Sequence, residues 1–361
     1  MTIDAEHVQT VEIGYDELCG ALAARDLRAL WSMQAQLMTN VPVSATLPWL
    51  WKWGTTFPLA QRAGDLITLE RGGDRRVIAL VNPGLNGLPF TSSTLWGAIQ
   101  YLGAGESAPA HRHSPAAVRF VMVGSGAYTT VNGDACEMQR GDLILTPNWA
   151  WHDHNSRGTE PMVWFDGLDL PLVATLESVF FEHHPELTQH VVGHNVSETT
   201  YGGTGILPRR VTAPAGHSPL MRYRWEETSR TLDSMHDSSG EFEVWIEFVN
   251  PLTGGPALPT LTCEMLRLYP DGRTATRRET GSAIYVVFEG SGRSVIDGQA
   301  FEWDAGDIFV TPSWAAVDHR ASAEQANLFV LSDRCVLEAL HLYRQETLGE
   351  PQEITGHFDP R

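Results

Sequence analysis

From about Val77 to Asp169 the chain alternates short apolar runs with turn residues. The runs VIALVNPG, LWGAIQYL, VRFVMVGSG, AYTTVNGD, DLILTPNW and MVWFDGLD are separated by Gly, Asn, Asp or Pro. This spacing predicts the strands of a small β-barrel or jelly roll, and the same texture returns after about Val244. Upstream, Leu18, Leu22, Leu27, Leu30, Trp31 and Met33 recur at roughly helical spacing, predicting one helix over Tyr15 to Met38. Asp16 and Glu17 suit its N-terminal end, and Pro42 closes it. Leu47 to Pro58 (LPWLWKWGTTFP) is aromatic and Pro-punctuated, and predicts a covering arm rather than a regular element. Leu172 to His184 predicts a helix stopped by Pro185, with His183 and His184 at its end. Residues 186–220 form a polar, Gly/Pro-rich connection, and the tail after Gln345 is polar and wraps or frays.

An internal repeat organises these runs. Residues 115–154 and 281–319 share a GSG turn, an apolar strand, an Asx-Gly turn, a Gly-Asp turn, TP-x-W and a terminal Asp-His. Two copies predict duplicated barrels. The expected divisions are a helical arm and covering segment over 1–75, a first barrel over 76–170, a helix and linker over 171–243, a second barrel over 244–345 and a tail over 346–361.

Candidate chemistry falls in the first copy alone. Gly105 is followed by five residues and then His111-Arg112-His113. Residues i and i+2 of a strand share a face, so both imidazoles can reach one ion. His152 follows the Gly141-Asp142 turn and Pro147, where an antiparallel partner strand could add a third nitrogen. Three imidazoles leave positions open for water, substrate or oxygen. A chance His-x-His on a solvated strand is the rival reading, and the Gly spacing, the downstream pattern and the repeat weigh against it. In the second copy His111, His113 and His152 align with Arg277, Glu279 and Val317, so that barrel is expected to be metal-free and structural. His319 aligns with His154, outside the ligand set.

Composition narrows the partners. Net charge is −19 with no Lys/Arg block, which disfavours nucleic acid. An anionic small substrate would need buried arginines to hold it. Four cysteines without a CxxC predict free thiols in a reducing compartment. The acidic N-terminus MTIDAEHVQT has no apolar core of a secretory signal, and no apolar run is long enough to span a bilayer. A cytoplasmic location is the default expectation. The GSG turns lack a surrounding βαβ unit and do not predict a dinucleotide loop.

The pattern GxxxxxHxH, then GDxxxxP and a third His, resembles the cupin superfamily. Most cupins carry a Glu four residues after the second His, where this chain has Ala117. The block PAHRHSPAAVRFVMVGSGAYTTVNG with RGDLILTPNWAWHDH is similar to the gentisate 1,2-dioxygenase family, with its salicylate and 1-hydroxy-2-naphthoate relatives. The likeness runs from the N-terminal arm through ERGGDRR, NPGL and TLWGAIQYLGAGE to both barrels.

This resemblance implies a mainly β fold, with two cupin (jelly-roll β-barrel) domains in one chain and an N-terminal helical arm. It implies one Fe(II) per chain on His111, His113 and His152, O2 as co-substrate, a small aromatic hydroxy acid as substrate and a homotetramer. It further implies that Arg119 anchors substrate, that His154 and Asp166 are polar residues beside the metal, and that Arg75, Trp96 and Gln100 line the pocket. Each has a plainer alternative: a solvated strand residue for Arg119, an orienting rather than proton-relaying role for His154, a turn role for Asp166, a charged turn for Arg75, and packing for Trp96 and Gln100. Arg119 lies an even six residues beyond His113, which predicts the same interior face. The expected reaction inserts both atoms of O2 between the carboxyl- and hydroxyl-bearing carbons of a 2-hydroxybenzoate. Gentisate is favoured over salicylate, a 5-substituted salicylate or 1-hydroxy-2-naphthoate. The rival classes are a cupin isomerase or hydrolase using another divalent metal, and a non-catalytic storage or sensing cupin.

Overall fold

The structure is a computed structural model that describes residues 5–67, 76–203, 205–209, 216–349 and 351–360. It divides into two compact units, residues 1–43 and 44–361. In the first unit the single helix expected over Tyr15 to Met38 is two, α1 (Ala5–Ala23) and α2 (Leu30–Leu37). Asp26 takes a left-handed backbone (φ 56°), which no helix continues through. Leu27 N–H then donates back to the Leu22 carbonyl and closes the turn.

The second unit is a duplication. Its first half runs β1 (Trp49–Trp51), α3 (Trp53–Leu66), β2 (Val77–Ala79), β3 (Trp96–Leu102), β4 (Ser107–His113), β5 (Ala117–Val123), β6 (Ser125–Val131), β7 (Asp134–Gln139), β8 (Leu143–Thr146), β9 (His152–Ser156), β10 (Met162–Leu168), α4 (Leu170–Thr175), β11 (Phe181–His183), β12 (Gly193–His194) and α5 (Val196–Tyr201). Its second half runs β13 (Arg222–Tyr223), α6 (Trp225–Ser239), β14 (Glu243–Glu247), β15 (Thr262–Leu268), β16 (Arg277–Glu279), β17 (Ala283–Glu289), β18 (Ser291–Ile296), β19 (Gln299–Asp304), β20 (Ile308–Thr311), β21 (Val317–Ala321), β22 (Ala326–Ser332), α7 (Arg334–Ala339), β23 (Gln345–Thr347) and β24 (Gly356–His357). Each strand of the first half has its counterpart twelve strands later.

Each barrel is two sheets of six strands. In the first barrel the orders are β13-β8-β5-β10-β3-β2 and β11-β4-β9-β6-β7-β12. In the second they are β1-β20-β17-β22-β15-β14 and β23-β16-β21-β18-β19-β24. This is the mainly β, two-cupin architecture that the repeat implied. The barrels trade their lead-in elements: β1 precedes the first barrel but pairs with β20 of the second, and β13 precedes the second but pairs with β8 of the first.

The Gly-Asp turns explain the exchange. Gly141 and Gly306 have φ near +90°, and a Cβ at either would meet the ring of Trp225 or Trp53 at 2.6 or 2.4 Å. Only glycine admits both the backbone and the ring. The adjoining aspartates cap the incoming helices, with Asp142 accepting from Trp225 N–H at 3.0 Å and Asp307 from Trp53 N–H at 2.7 Å. Each also pairs with a cation of the traded strand segment: Asp142 with Arg222 at 2.8 Å, and Asp307 with Lys52 at 2.5 Å.

Between the barrels, β3, β5, β8 and β10 lay their outward side chains on β15, β17, β20 and β22. Phe120 stacks on Phe329 with centroids 4.5 Å apart, inside one core shared by both halves. Reciprocal hydrogen bonds tie the edges: Thr260 donates to Asp169, and Thr94 to Asp333.

Three further expectations need correction. Leu47 to Pro58 is not irregular, because it forms β1 and most of α3. Leu172 to His184 is not one helix. The helix α4 stops as Glu177 turns left-handed (φ 54°), and the aromatic run beyond it becomes β11 along the edge of β4. His183 therefore pairs with His111 in a sheet, not at a helix end. The segment expected as linker contains β13 and the 15-residue α6. The tail wraps: β23 and β24 complete the second barrel's outer sheet. The four cysteines are unbridged, and among the described residues no helix is long and apolar enough to cross a membrane.

Candidate metal centre and substrate pocket

His111 and His113 stand two residues apart at the end of β4, and His152 opens β9, directly opposite His111 in the register. The ring centroids lie 4.2 Å (His111–His152), 4.8 Å (His113–His152) and 5.7 Å (His111–His113) apart. One nitrogen from each falls within 4.8 Å of the others. The TP-x-W turn holds the end of β4 in place. Trp149 adopts φ 60°, and its N–H donates to the His113 carbonyl at 2.9 Å.

Backbone carbonyls select the tautomers. Nδ1 of His111, His113 and His152 lies 2.9, 2.7 and 2.9 Å from the carbonyls of Pro109, Pro115 and Ala150. A carbonyl can only accept, so each Nδ1 carries the proton and each Nε2 keeps its lone pair. His152 is fully buried and its Nε2 has no hydrogen-bond partner. A buried acceptor left unsatisfied costs about 1–3 kcal/mol, and a metal ion satisfies it. Burial, then the charge of Arg119, holds His152 well below the usual imidazole range, so it is neutral and ready to ligate. Three neutral imidazoles suit a borderline divalent ion such as Fe(II) and leave coordination positions open. Phe181 of β11 stacks on His111 at 5.2 Å.

The other wall is built by cross-strand neighbours. Asp166 of β10 is opposite Ala98 of β3 on one side and Arg119 of β5 on the other. Arg119 and Asp166 are both buried, and Arg119 Nε lies 3.4 Å from Asp166 Oδ1. Arg119 also donates to Thr146 Oγ1, while Trp164 Nε1 donates to Asp166 at 3.0 Å. Burial pushes Asp166 up to about 6, against the pull of Arg119. His154 follows His152 on the same face of β9, buried, with Nδ1 2.9 Å from Thr129 Oγ1 and its ring 5.3 Å from Trp164. Burial and then Arg119 hold it well below the usual range, so it too is neutral.

Gln100 is buried on β3, and Trp96 on the same strand face is half-buried. Arg75 lies outside the described residues. Sequence reasoning passed over Thr129, Thr146, Trp164 and Phe181. Thr129 and Trp164 sit at alternate strand positions that carry no motif, Thr146 was read only as the start of the TP-x-W turn, and only the sheet register gives these three away.

The second copy keeps the frame and changes the groups. Arg277 faces Val317 as His111 faces His152, and Trp314 N–H donates to the Glu279 carbonyl at 2.7 Å. His319 sits 2.8 Å from Ser294 as His154 sits by Thr129. Burial pushes His319 down to about 4. An imidazole titrates near 6.5 in the unfolded chain, so between these values the unfolded state binds more protons and stability falls as pH falls. By pH 4 the loss should approach roughly 3 kcal/mol. Replacing His319 with Gln should flatten that part of a urea-stability profile taken against pH.

The comparisons with known proteins agree with this geometry. A cupin domain model matches residues 98–169. Gentisate 1,2-dioxygenase from Streptomyces sp is 44% identical, over 94% of this chain and 98% of that protein. 5-Aminosalicylate 1,2-dioxygenase from Comamonas sp is 38% identical, over 95% of this chain and 94% of that one. The crystal structure of a salicylate 1,2-dioxygenase from Pseudaminobacter salicylatoxidans superimposes with a TM-score of 0.86 at 38% identity, covering 97% of this chain and all of that one. With its paired barrels and one convergent histidine triad among the described residues, the chain belongs to the gentisate and salicylate 1,2-dioxygenase family of bicupins, iron-dependent enzymes that cleave aromatic rings.

Proposed function

We propose that the enzyme adds O2 across the bond between the carboxyl- and hydroxyl-bearing carbons of gentisate, giving maleylpyruvate. The observation that carries this reading is the buried guanidinium of Arg119, fixed between Asp166 and Thr146 beside three imidazoles. That is a carboxylate receptor at the edge of a metal-binding triad.

His111, His113 and His152 would hold Fe(II), which when bound supplies the centre where O2 and the substrate's adjacent oxygens meet. Arg119 would take the substrate carboxylate and set the ring's orientation. Asp166 and Thr146 would keep that guanidinium aimed. Neutral His154 can accept the phenolic proton at Nε2, since Nδ1 faces Thr129. Gln100 and Trp96 would complete the walls around the ring. Ala98, opposite Asp166, presents only a methyl group there. The exposed Leu27, Leu30, Trp31 and Met38 of the first unit support self-association, and we assign the assembly as a homotetramer.

Oxygen uptake by iron-reconstituted protein tests the reading. Gentisate should consume one O2 per ring opened and yield a keto acid absorbing in the near ultraviolet. Benzoate lacks the hydroxyl and hydroquinone the carboxylate, so both should turn over poorly even at saturation. Faster reaction of salicylate, a 5-substituted salicylate or 1-hydroxy-2-naphthoate would reassign the substrate within the same chemistry. Ring opening without oxygen consumption would overturn the proposal.

A further inference from the structure

A neutral imidazole has two tautomers, and only one of them can accept at Nε2. His154 and His319 hold matching places in the two barrels, each opposite a fully buried hydroxyl residue of the neighbouring strand, Thr129 and Ser294. Nδ1 lies 2.9 Å from Thr129 Oγ1 in the first barrel and 2.8 Å from Ser294 Oγ in the second. A hydroxyl can donate to Nδ1 or accept from it, so this contact alone leaves the tautomer open. The second neighbour of each hydroxyl decides it.

In the second barrel that neighbour is Trp303, whose Nε1–H donates to Ser294 Oγ at 2.9 Å. An indole N–H can only donate. Ser294 therefore accepts from Trp303 and directs its own proton to His319 Nδ1, which leaves the His319 proton on Nε2. In the first barrel the matching residue is Met138, whose Sδ lies 3.2 Å from Thr129 Oγ1. A thioether can only accept. Met138 and Trp303 stand opposite Ala127 and Gly292 in the two ladders, so the exchange of acceptor for donor falls at one position of the repeat. Among the described residues the Thr129 hydroxyl meets only the sulfur and the imidazole. If its proton went to His154 Nδ1, sulfur and oxygen would face each other with lone pairs alone. Donation to Met138 satisfies both contacts, with His154 Nδ1–H donating to Thr129.

We propose that Met138 is a positioning residue for ring cleavage: its sulfur draws the Thr129 hydroxyl proton, which keeps the His154 proton on Nδ1 and presents a bare Nε2 to the substrate's hydroxyl group. Met138 acts through two intervening side chains, not on the substrate itself. The two barrels thus hold equivalent histidines in opposite tautomers, an acceptor beside the histidine triad and a donor in the barrel without one. The tautomers do not depend on the substrate, whereas the effect on turnover rests on the reading that His154 meets the phenolic hydroxyl.

Neutron diffraction from crystals of the perdeuterated, iron-loaded protein tests the proposal. The maps should show deuterium on His154 Nδ1 and none on Nε2, the Thr129 deuteron directed at Met138 Sδ, and the reverse tautomer at His319. Deuterium on His154 Nε2, or like tautomers at the two histidines, would contradict it. Met138→Leu conserves volume and removes the acceptor. The Thr129 proton should then turn to His154 Nδ1, and deuterium should move to Nε2. In the same variant kcat for gentisate should fall about 10-fold or more, with iron content normal and KM changed less than kcat. A methionine that merely fills space would leave tautomer and kcat as they were, and that outcome refutes the positioning role. If Met138→Leu fails to fold, the wild-type maps decide. If gentisate is not turned over, the maps still decide the tautomers, and kcat is read with whichever 2-hydroxybenzoate reacts.

Discussion

Replacing His152 with alanine should remove bound iron and ring cleavage together, with kcat falling on the order of 10³-fold or more. His152 is the most buried of the three imidazoles, and its Nε2 has no alternative partner in the protein. Its removal leaves two nitrogens on one strand end, too few to retain a labile divalent ion against dilution. Elemental analysis and an oxygen electrode, applied to the same preparation, separate loss of metal from loss of chemistry. Val317→Ala is the matched control, because Val317 holds the corresponding register position in the second barrel and should leave one iron per chain. A His152→Ala protein that kept both full iron content and turnover would refute the ligand assignment.

Arg119 should behave differently, losing activity with metal retained. Arg119→Lys keeps a positive charge but cannot span Thr146, Asp166 and a substrate carboxylate at once. We expect kcat/KM for gentisate to fall by about 10²-fold with iron content normal. Arg119→Ala should fall further yet still fold. Asp166 is already pushed up to about 6 by burial, so without its partner it takes a proton rather than remaining as a buried charge. Steady-state kinetics beside metal analysis decide the matter, and an unchanged kcat/KM in Arg119→Ala would dismiss the anchor.

The triad was legible because its geometry is local. Two histidines on alternate positions of one strand share a face whatever surrounds them, and the Gly141-Asp142 turn and Pro147 marked the partner strand that carries the third. Arg119 was placed on the interior face by counting an even interval from His113. That count crosses a turn at 114–116 and means nothing. Arg119 faces inward through the alternation of β5 and its pairing with Asp166. The lead-in elements were illegible for the opposite reason. The cap of α3 comes from Asp307, 254 residues along the chain from Trp53, and α6 takes its cap from Asp142 of the other barrel. No window of neighbouring residues contains that information. The left-handed Glu177 that ends α4 is equally silent, since glutamate gives no warning of such a backbone.

The traded lead-in elements also carry a history. The arrangement is that of two molecules of a single repeat exchanging their first strands about a twofold axis, each glycine-aspartate turn receiving the tryptophan of the other, but joined in one polypeptide. In a pair of identical chains any change to a metal ligand would strike both halves at once. In one chain the halves change separately. One could keep its histidines while the other drifted to Arg277, Glu279 and Val317, still obliged to hold its neighbour's strand and helix in place.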